Sequence, residues 1–237
     1  MRMILAAAAC CALPASPGAA QTPPPETVFT AVAPCRALLT PTKIPANTSR
    51  LVQIVGSGLA SQGGPAAGCG VPASATAVAM SFTAYGASTP GYLTAYAAGS
   101  ARPTIITVSY PGNAPATAGT IVQLGDQGRI SLFAAKDVHV AGEVTGYYAP
   151  QIRGTINLDG SIKYATSRIV SSTSTGTGAY SVTLDRNVTG CAASAAPFGA
   201  GSYIINAYPS GNTISAWAYR TTTGEAANIY WQFHVTC

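Results

Sequence analysis

The side chains with chemistry to offer in this sequence are few: seven acids, two histidines and six cysteines. Hydrolysis by nucleophilic attack needs a nucleophile, a base and an orienting acid. Neither G-x-S-x-G nor H-E-x-x-H occurs. Asp126, Asp159 and Asp185 stand close to Gly or Asn in expected turns, where Asp caps its own backbone. Asp137 and Glu143 lie at opposite ends of one expected strand, roughly 20 Å apart if extended, too far for a glycosidase couple. Glu26 and Glu225 complete the seven acids. The glycine-rich stretches lack the Lys and helix that a phosphate loop requires. His139 and His234 read as strand residues rather than ligands, and Arg36, next to Cys35, reads as a structural anchor. These residues predict no enzyme, no cofactor and no metal.

Aromatic side chains offer a different chemistry, because exported β modules hold sugars by stacking Tyr or Trp faces on pyranose rings. Tyr203, Tyr208, Trp217, Tyr219, Tyr230 and Trp231 crowd into the last stretch of the chain. Trp217 and Tyr219 share one strand face, whereas Tyr230 and Trp231 point to opposite faces. Trp217, Tyr219, Tyr208, Tyr230 and Trp231 are therefore the candidate binding residues, and at least one tryptophan is expected in the core.

What positions these residues begins with export. Met1, Arg2 and Met3 precede an apolar run from Ile4 to Leu13 and small residues ending at Ala20, the pattern of a signal segment over 1–20 cleaved before Gln21. The run is shorter than the roughly 20 apolar residues a bilayer span needs, so stable membrane insertion is not expected. Lipid attachment at Cys10 or Cys11 is disfavoured, because both lack a large apolar residue three positions before. The chain then keeps Cys35, Cys69, Cys191 and Cys237, an even count in an exported protein and hence two disulfides. Of the three pairings, Cys35 with Cys69 and Cys191 with Cys237 keeps each bridge inside one module. Each bridge closes a loop of roughly 35 to 47 residues and is worth about 4 kcal/mol in the chain-entropy picture. Metal binding fails on spacing, since no C-x-x-C occurs and the histidines fall in different modules.

Only 8% of residues are charged while 48% are hydrophobic, which excludes disorder and helical bundles with charged faces and leaves the β-rich classes. A net charge of +5, +4 without Arg2, with Lys and Arg scattered, gives nucleic-acid binding little support. After a stiff Pro-rich leader at 21–27, short β-branched and aromatic runs follow at 28–33, 51–55, 76–84, 91–97, 104–110, 120–124, 129–134 and 137–148. Val78, Met80 and Phe82 alternate with Ala77, Ala79 and Ser81 and should be buried; Ile130 and Leu132 should point inward from a hairpin arm that follows the turn Gly125–Gly128. Pro150 and a shift to polar residues mark a boundary, giving modules at 28–149 and 150–237. The second module offers runs at 165–172, 179–184, 202–208, 213–219 and 228–235, a flexible stretch from Ser171 to Gly178, and a loop over Gly190–Ala196. The expected fold is all-β, two antiparallel, jelly-roll-like β-sandwich domains in tandem.

Several segments carry a resemblance. Pro34-Cys35-Arg36, Gly70-Val71-Pro72-Ala73-Ser74-Ala75-Thr76-Ala77-Val78, Pro90-Gly91-Tyr92-Leu93-Thr94 and Val144-Thr145-Gly146-Tyr147-Tyr148 resemble, in order over about 120 residues, a β module of secreted bacterial proteins. Its pattern runs PCR, GVPATATAV, GYLTVYPAG, DVTGYY. Two positions depart from it: Ala37-Leu38-Leu39-Thr40 follows the PCR motif in place of Asp-Thr-Arg, and Glu143 replaces the Asp before Val-Thr-Gly-Tyr. The second module, through Gly176–Leu184, Val188–Cys191 and Phe233–Cys237, is similar to C-terminal β domains of secreted and phage-tail-like proteins, some of them trimeric. The resemblance implies an extracellular accessory or surface unit. The functional expectation is a non-enzymatic, secreted or cell-surface binding and adhesion protein whose partner is an extracellular glycan or surface protein. The rivals are a structural component forming a trimeric homo-oligomer and an unrecognised secreted hydrolase.

Overall fold

The computed structural model describes residues 26–237. The expected signal segment 1–20 and residues 21–25 of the Pro-rich leader lie outside the described residues, and Thr27, the leader's last residue, opens the first strand. The first half forms β1 (Thr27–Leu39), β2 (Thr48–Gln53), β3 (Ala77–Tyr85), β4 (Gly91–Ala97), β5 (Val108–Tyr110), β6 (Ala116–Gln123), β7 (Arg129–Ala134) and β8 (His139–Pro150). They make two antiparallel sheets, ordered β1-β8-β3-β6 and β2-β7-β4-β5. Val78, Met80 and Phe82 of β3 are buried between them, as alternation predicts.

Three differences have physical causes. Strand β1 runs on to Leu39 rather than ending at Ala33, and its ladder with β8 slips between Ala31 and Cys35, where Pro34 has no N–H to offer. The turn at Gly125–Gly128 does not make a hairpin: β6 lies in one sheet and β7, with Ile130 and Leu132 inward, lies between β2 and β4 in the other. The expected run at 104–110 is a strand only from Val108. Ahead of it the chain crosses the outer side of its sheet, where the Arg102 guanidinium sits 3.7 Å from the Phe133 ring centroid and Thr94 Oγ1 donates to the Ile105 carbonyl. That cover explains why β7 is buried on both faces.

The second half forms β9 (Ile152–Ile156), β10 (Ile162–Ala165), β11 (Ile169–Gly176), β12 (Ala179–Leu184), β13 (Ala192–Pro197), β14 (Tyr203–Ser210), β15 (Thr213–Arg220) and β16 (Trp231–Thr236). Its antiparallel sheets run β10-β9-β16-β13 and β11-β12-β15-β14. The all-β, tandem-sandwich architecture is thus present. Gly190–Ala196, expected as a loop, holds most of β13, because residues Ala192–Pro197 pair with Trp231–Thr236 along their whole length. Pro197 is tolerated at the end of this edge strand. Ser171–Gly176 is likewise the body of an edge strand paired with β12, not a flexible stretch. The run at 165–172 breaks at Thr166–Arg168, and the polar stretch after Pro150 contains β9, whose Ile152, Gly154 and Ile156 face inward.

One hydrophobic cluster takes residues from Ala37 to Ala149, the other from Ile152 to Phe233. Both disulfides pair as expected, Cys35 with Cys69 and Cys191 with Cys237, at Cα separations of 5.6 and 4.3 Å. Such bridges belong to chains that mature in oxidising compartments. Among the described residues no helix is long and apolar enough to cross a membrane.

Candidate functional site

Strands β14 and β15 pair without a slip, so the alternation of each fixes a shared outer face. Ala216 and Ala218 point into the core. Trp217 and Tyr219 point out from β15, and Ile204, Asn206 and Tyr208 from β14. Trp217 stands opposite Asn206 and Tyr208 opposite Ser215, which makes the two aromatics diagonal neighbours across the pair. Their ring centroids are 5.5 Å apart at 66°, edge to face. Both are exposed, Trp217 at 40% and Tyr208 at 59%. The same face continues onto β12 through Ser181 and Thr183, opposite Ser215 and Thr213. The result is an aromatic pair flanked by hydroxyls and one amide, with Ile204 and Tyr219 towards one end and no charged side chain on the strand positions named.

The five candidate aromatics divide three ways. Trp217 and Tyr208 come together, and Tyr219 joins them half-buried, its backbone bridged to Ala226. Tyr230 belongs elsewhere: the Lys163 ammonium lies 5.2 Å from the ring centroids of both Tyr230 and Phe198. Trp231 is not a binding residue. It is fully buried, packed on Tyr180 at 5.5 Å and Phe233 at 5.3 Å, because alternation from Phe233 carries it to the inner face of β16.

The carboxylates hold structure. Asp137 accepts the Ala46 N–H at 2.6 Å, and Glu143 pairs with Arg36 at 3.3 Å across β1 and β8, both ends half-exposed. That pair is worth little on its own, but it ties Arg36 of β1 to its register partner Glu143 of β8. Asp159 accepts both the hydroxyl and the N–H of Ser161, which hold its carboxyl below the usual carboxylate range. Glu225 accepts the Thr223 hydroxyl. Asp185 accepts the Ser74 hydroxyl and the Nε–H of Arg168 at 2.8 and 2.9 Å. His139 stacks on Tyr85 at 5.2 Å, with Nδ1 near Thr40. Among the described residues no three His, Cys, Asp or Glu side chains gather closely enough to hold a metal ion.

Sequence reasoning missed a second surface. Across the outer face of the β10-β9-β16-β13 sheet lies an open furrow of about 600 Å³ lined by Tyr164, Arg153, Thr155, Gln232, His234 and Ser194. His234 stands between Arg153 and Ser194 in register, and Gln232 between Thr155 and Ala196. The signal was present as alternation of Gln232 and His234 with Trp231 and Phe233, and of Arg153 and Thr155 with three inward residues. Sequence pattern alone does not assemble this face, because β9 lies in a polar stretch, β10 is four residues long and β13 is Ala-rich, so each carries a weak strand signal.

The chain matches no family model, no curated protein and no solved structure.

Proposed function

We propose that this chain is an exported, non-enzymatic binding protein that holds a neutral glycan on the Tyr208–Trp217 face of its second sandwich. One observation carries the reading: two large aromatic rings stand exposed and in contact on a sheet face whose neighbouring outer positions are Asn206, Ser215, Ser181, Thr183 and Thr213, with Ile204 and Tyr219 towards one end. Pyranose rings need an apolar surface for their C–H faces and hydrogen-bonding groups for their hydroxyls, and this face supplies both. The N-terminal segment and the two disulfides support an extracellular or cell-surface location. The structural bonds held by the carboxylates support a role without catalysis.

Retention on a panel of immobilised neutral polysaccharides tests the proposal. Trp217→Ala should weaken binding by about tenfold or more, roughly 1.4 kcal/mol or above, with folding unchanged because Trp217 lies outside the core. No retention by the unaltered chain, or equal retention by Trp217→Ala, would sink it. Subunit contact is the second reading, favoured by Ile204, 51% exposed opposite Tyr219 on the same face. A monomer by light scattering at micromolar concentration counts against a trimer built on that face.

A further inference from the structure

We infer a second binding site, for an acidic polysaccharide carrying carboxylates, in a cationic track that crosses the β9–β16 pair and enters the cleft between the two sandwiches. The track consists of two cavities. The first is the furrow on the outer face of the β10-β9-β16-β13 sheet, about 600 Å³. The second, about 610 Å³, lies between the start of β1, the crossover at Pro150–Ile152 and the end of β16. His234 lines both, so the two cavities adjoin at that residue. Each falls within the size of a small-molecule site, and four strands at about 4.8 Å spacing make the furrow on the order of 14 Å wide. Together they suit several linked sugar rings rather than one.

Charge selects the ligand. Arg153 lines the furrow, Arg168 and Arg186 line the cleft, and no Asp or Glu side chain lines either. The Arg168 charge is already met by Asp185, but its Nη2 is buried without a hydrogen-bond partner among the described residues. Arg186 is different: its Nη1 donates to the Thr30 hydroxyl at 3.2 Å and its Nε to the Asn187 carbonyl, and it has no carboxylate partner. Arg153 also forms no ion pair among the described residues. In a chain with only 8% charged residues, the furrow holds one guanidinium, Arg153, and the adjoining cleft another, Arg186, neither with an ion-pair partner among the described residues. A guanidinium matches a carboxylate through two parallel N–H···O bonds. Thr155, Gln232 and Ser194 supply partners for sugar hydroxyls, and Tyr164 and Phe29 supply exposed rings at the two ends. Phe29 is seated there because Gly146 lies beneath its ring: a Cβ at 146 would collide with it.

This site shares no residue with the Tyr208–Trp217 face, so the two stand or fall separately. The test is affinity electrophoresis or calorimetry of the mature chain with polygalacturonate, a pure uronate polymer, beside dextran as a neutral polymer and dextran sulfate as a polyanion without carboxylates. Polygalacturonate should bind in preference to both. Arg153→Gln combined with Arg186→Gln should weaken it by about tenfold or more, whereas Trp217→Ala leaves it unchanged. Arg153→Lys keeps the charge but not the fork and should fall between. Binding should weaken as salt rises from about 0.1 M to about 1 M and the screening length shrinks from about 10 to about 3 Å. Absence of polygalacturonate binding, equal binding by the double variant, or equal affinity for dextran sulfate would each overturn the inference. Circular dichroism and thermal unfolding of the double variant, together with binding by Arg153→Gln alone, an outer-face change, verify that lost binding is not lost folding.

Discussion

Tyr180 sits fully inside the second core with its hydroxyl turned to one peptide unit. It accepts the Ile229 N–H at 2.8 Å and donates to the Ile229 carbonyl at 3.2 Å, satisfying both polar groups of a residue just before β16. Burial pushes its phenol above the ordinary value. Tyr180→Phe should therefore cost about 1–3 kcal/mol in urea unfolding at neutral pH, the penalty of leaving buried backbone groups unpaired. An acid with a raised pKa binds its proton more tightly when folded. The resulting stability is fully present below the unfolded value near 10 and is lost as pH climbs from there through the folded value. The Phe variant should lose less stability than the parent over that alkaline window, and a parallel decline of the two would refute the assignment. Tyr110, raised by burial while donating to the Lys136 carbonyl, contributes the same sign in the first core. The role of Tyr180 was not legible in sequence, because nothing local links it to a residue 49 positions away. The two tryptophans show the same limit. Alternation established that Trp217 and Tyr219 share a face, but which face is buried depends on the partner sheet.

Elements separate into those that local pattern specifies and those that pairing imposes. Strand β3 carries its own signal, with Val78, Met80 and Phe82 against Ala77, Ala79 and Ser81. Strand β13, Ala-Ala-Ser-Ala-Ala-Pro, carries almost none: its residues have weak strand preference. It is extended because β16 lies beside it and because Cys191, one residue before it, is bridged to Cys237, one residue after β16. The clamp works on the open end of an edge strand, where fraying starts. Replacing both cysteines by Ser should lower stability by about 2–5 kcal/mol. Amide exchange should rise first at Ala193–Ala195 and on the facing part of β16, with β12 and β15 least affected. Uniform loss of protection across the second sandwich would mean that the bridge restrains only the unfolded chain. Because His234, Gln232 and Ser194 ride on this pair, the same variant should also weaken polygalacturonate binding.

At the scale of the whole molecule, two hydrophobic cores that share no residue are joined by polar contacts. Arg168, buried in the second half, donates through Nε to Asp185 and through Nη1 to the carbonyl of Pro150, the last residue of β8. Its Cζ lies 6.0 Å from the Tyr147 ring centroid. Asp185 in turn accepts the hydroxyl of Ser74 from the first half, and Arg186 beside it reaches Thr30 on β1. Sequence separations of 111 and 156 explain why no local signal announces this joint. An ion pair this buried stabilises little against an apolar replacement, but removing one partner strands a charge. Asp185→Ala should therefore cost about 3–5 kcal/mol, leaving the Arg168 guanidinium without its carboxylate. The loss should split a single unfolding transition into two, as the second sandwich melts before the first. Arg168→Met combined with Asp185→Leu removes both charges and should recover most of the stability while the Ser74 contact stays lost. Calorimetry separates the outcomes. If Asp185→Ala leaves one transition at an unchanged midpoint, the joint does not couple the sandwiches. If the double variant is as unstable as the single one, the coupling resides in the geometry of the hydrogen bonds rather than in the balance of charge.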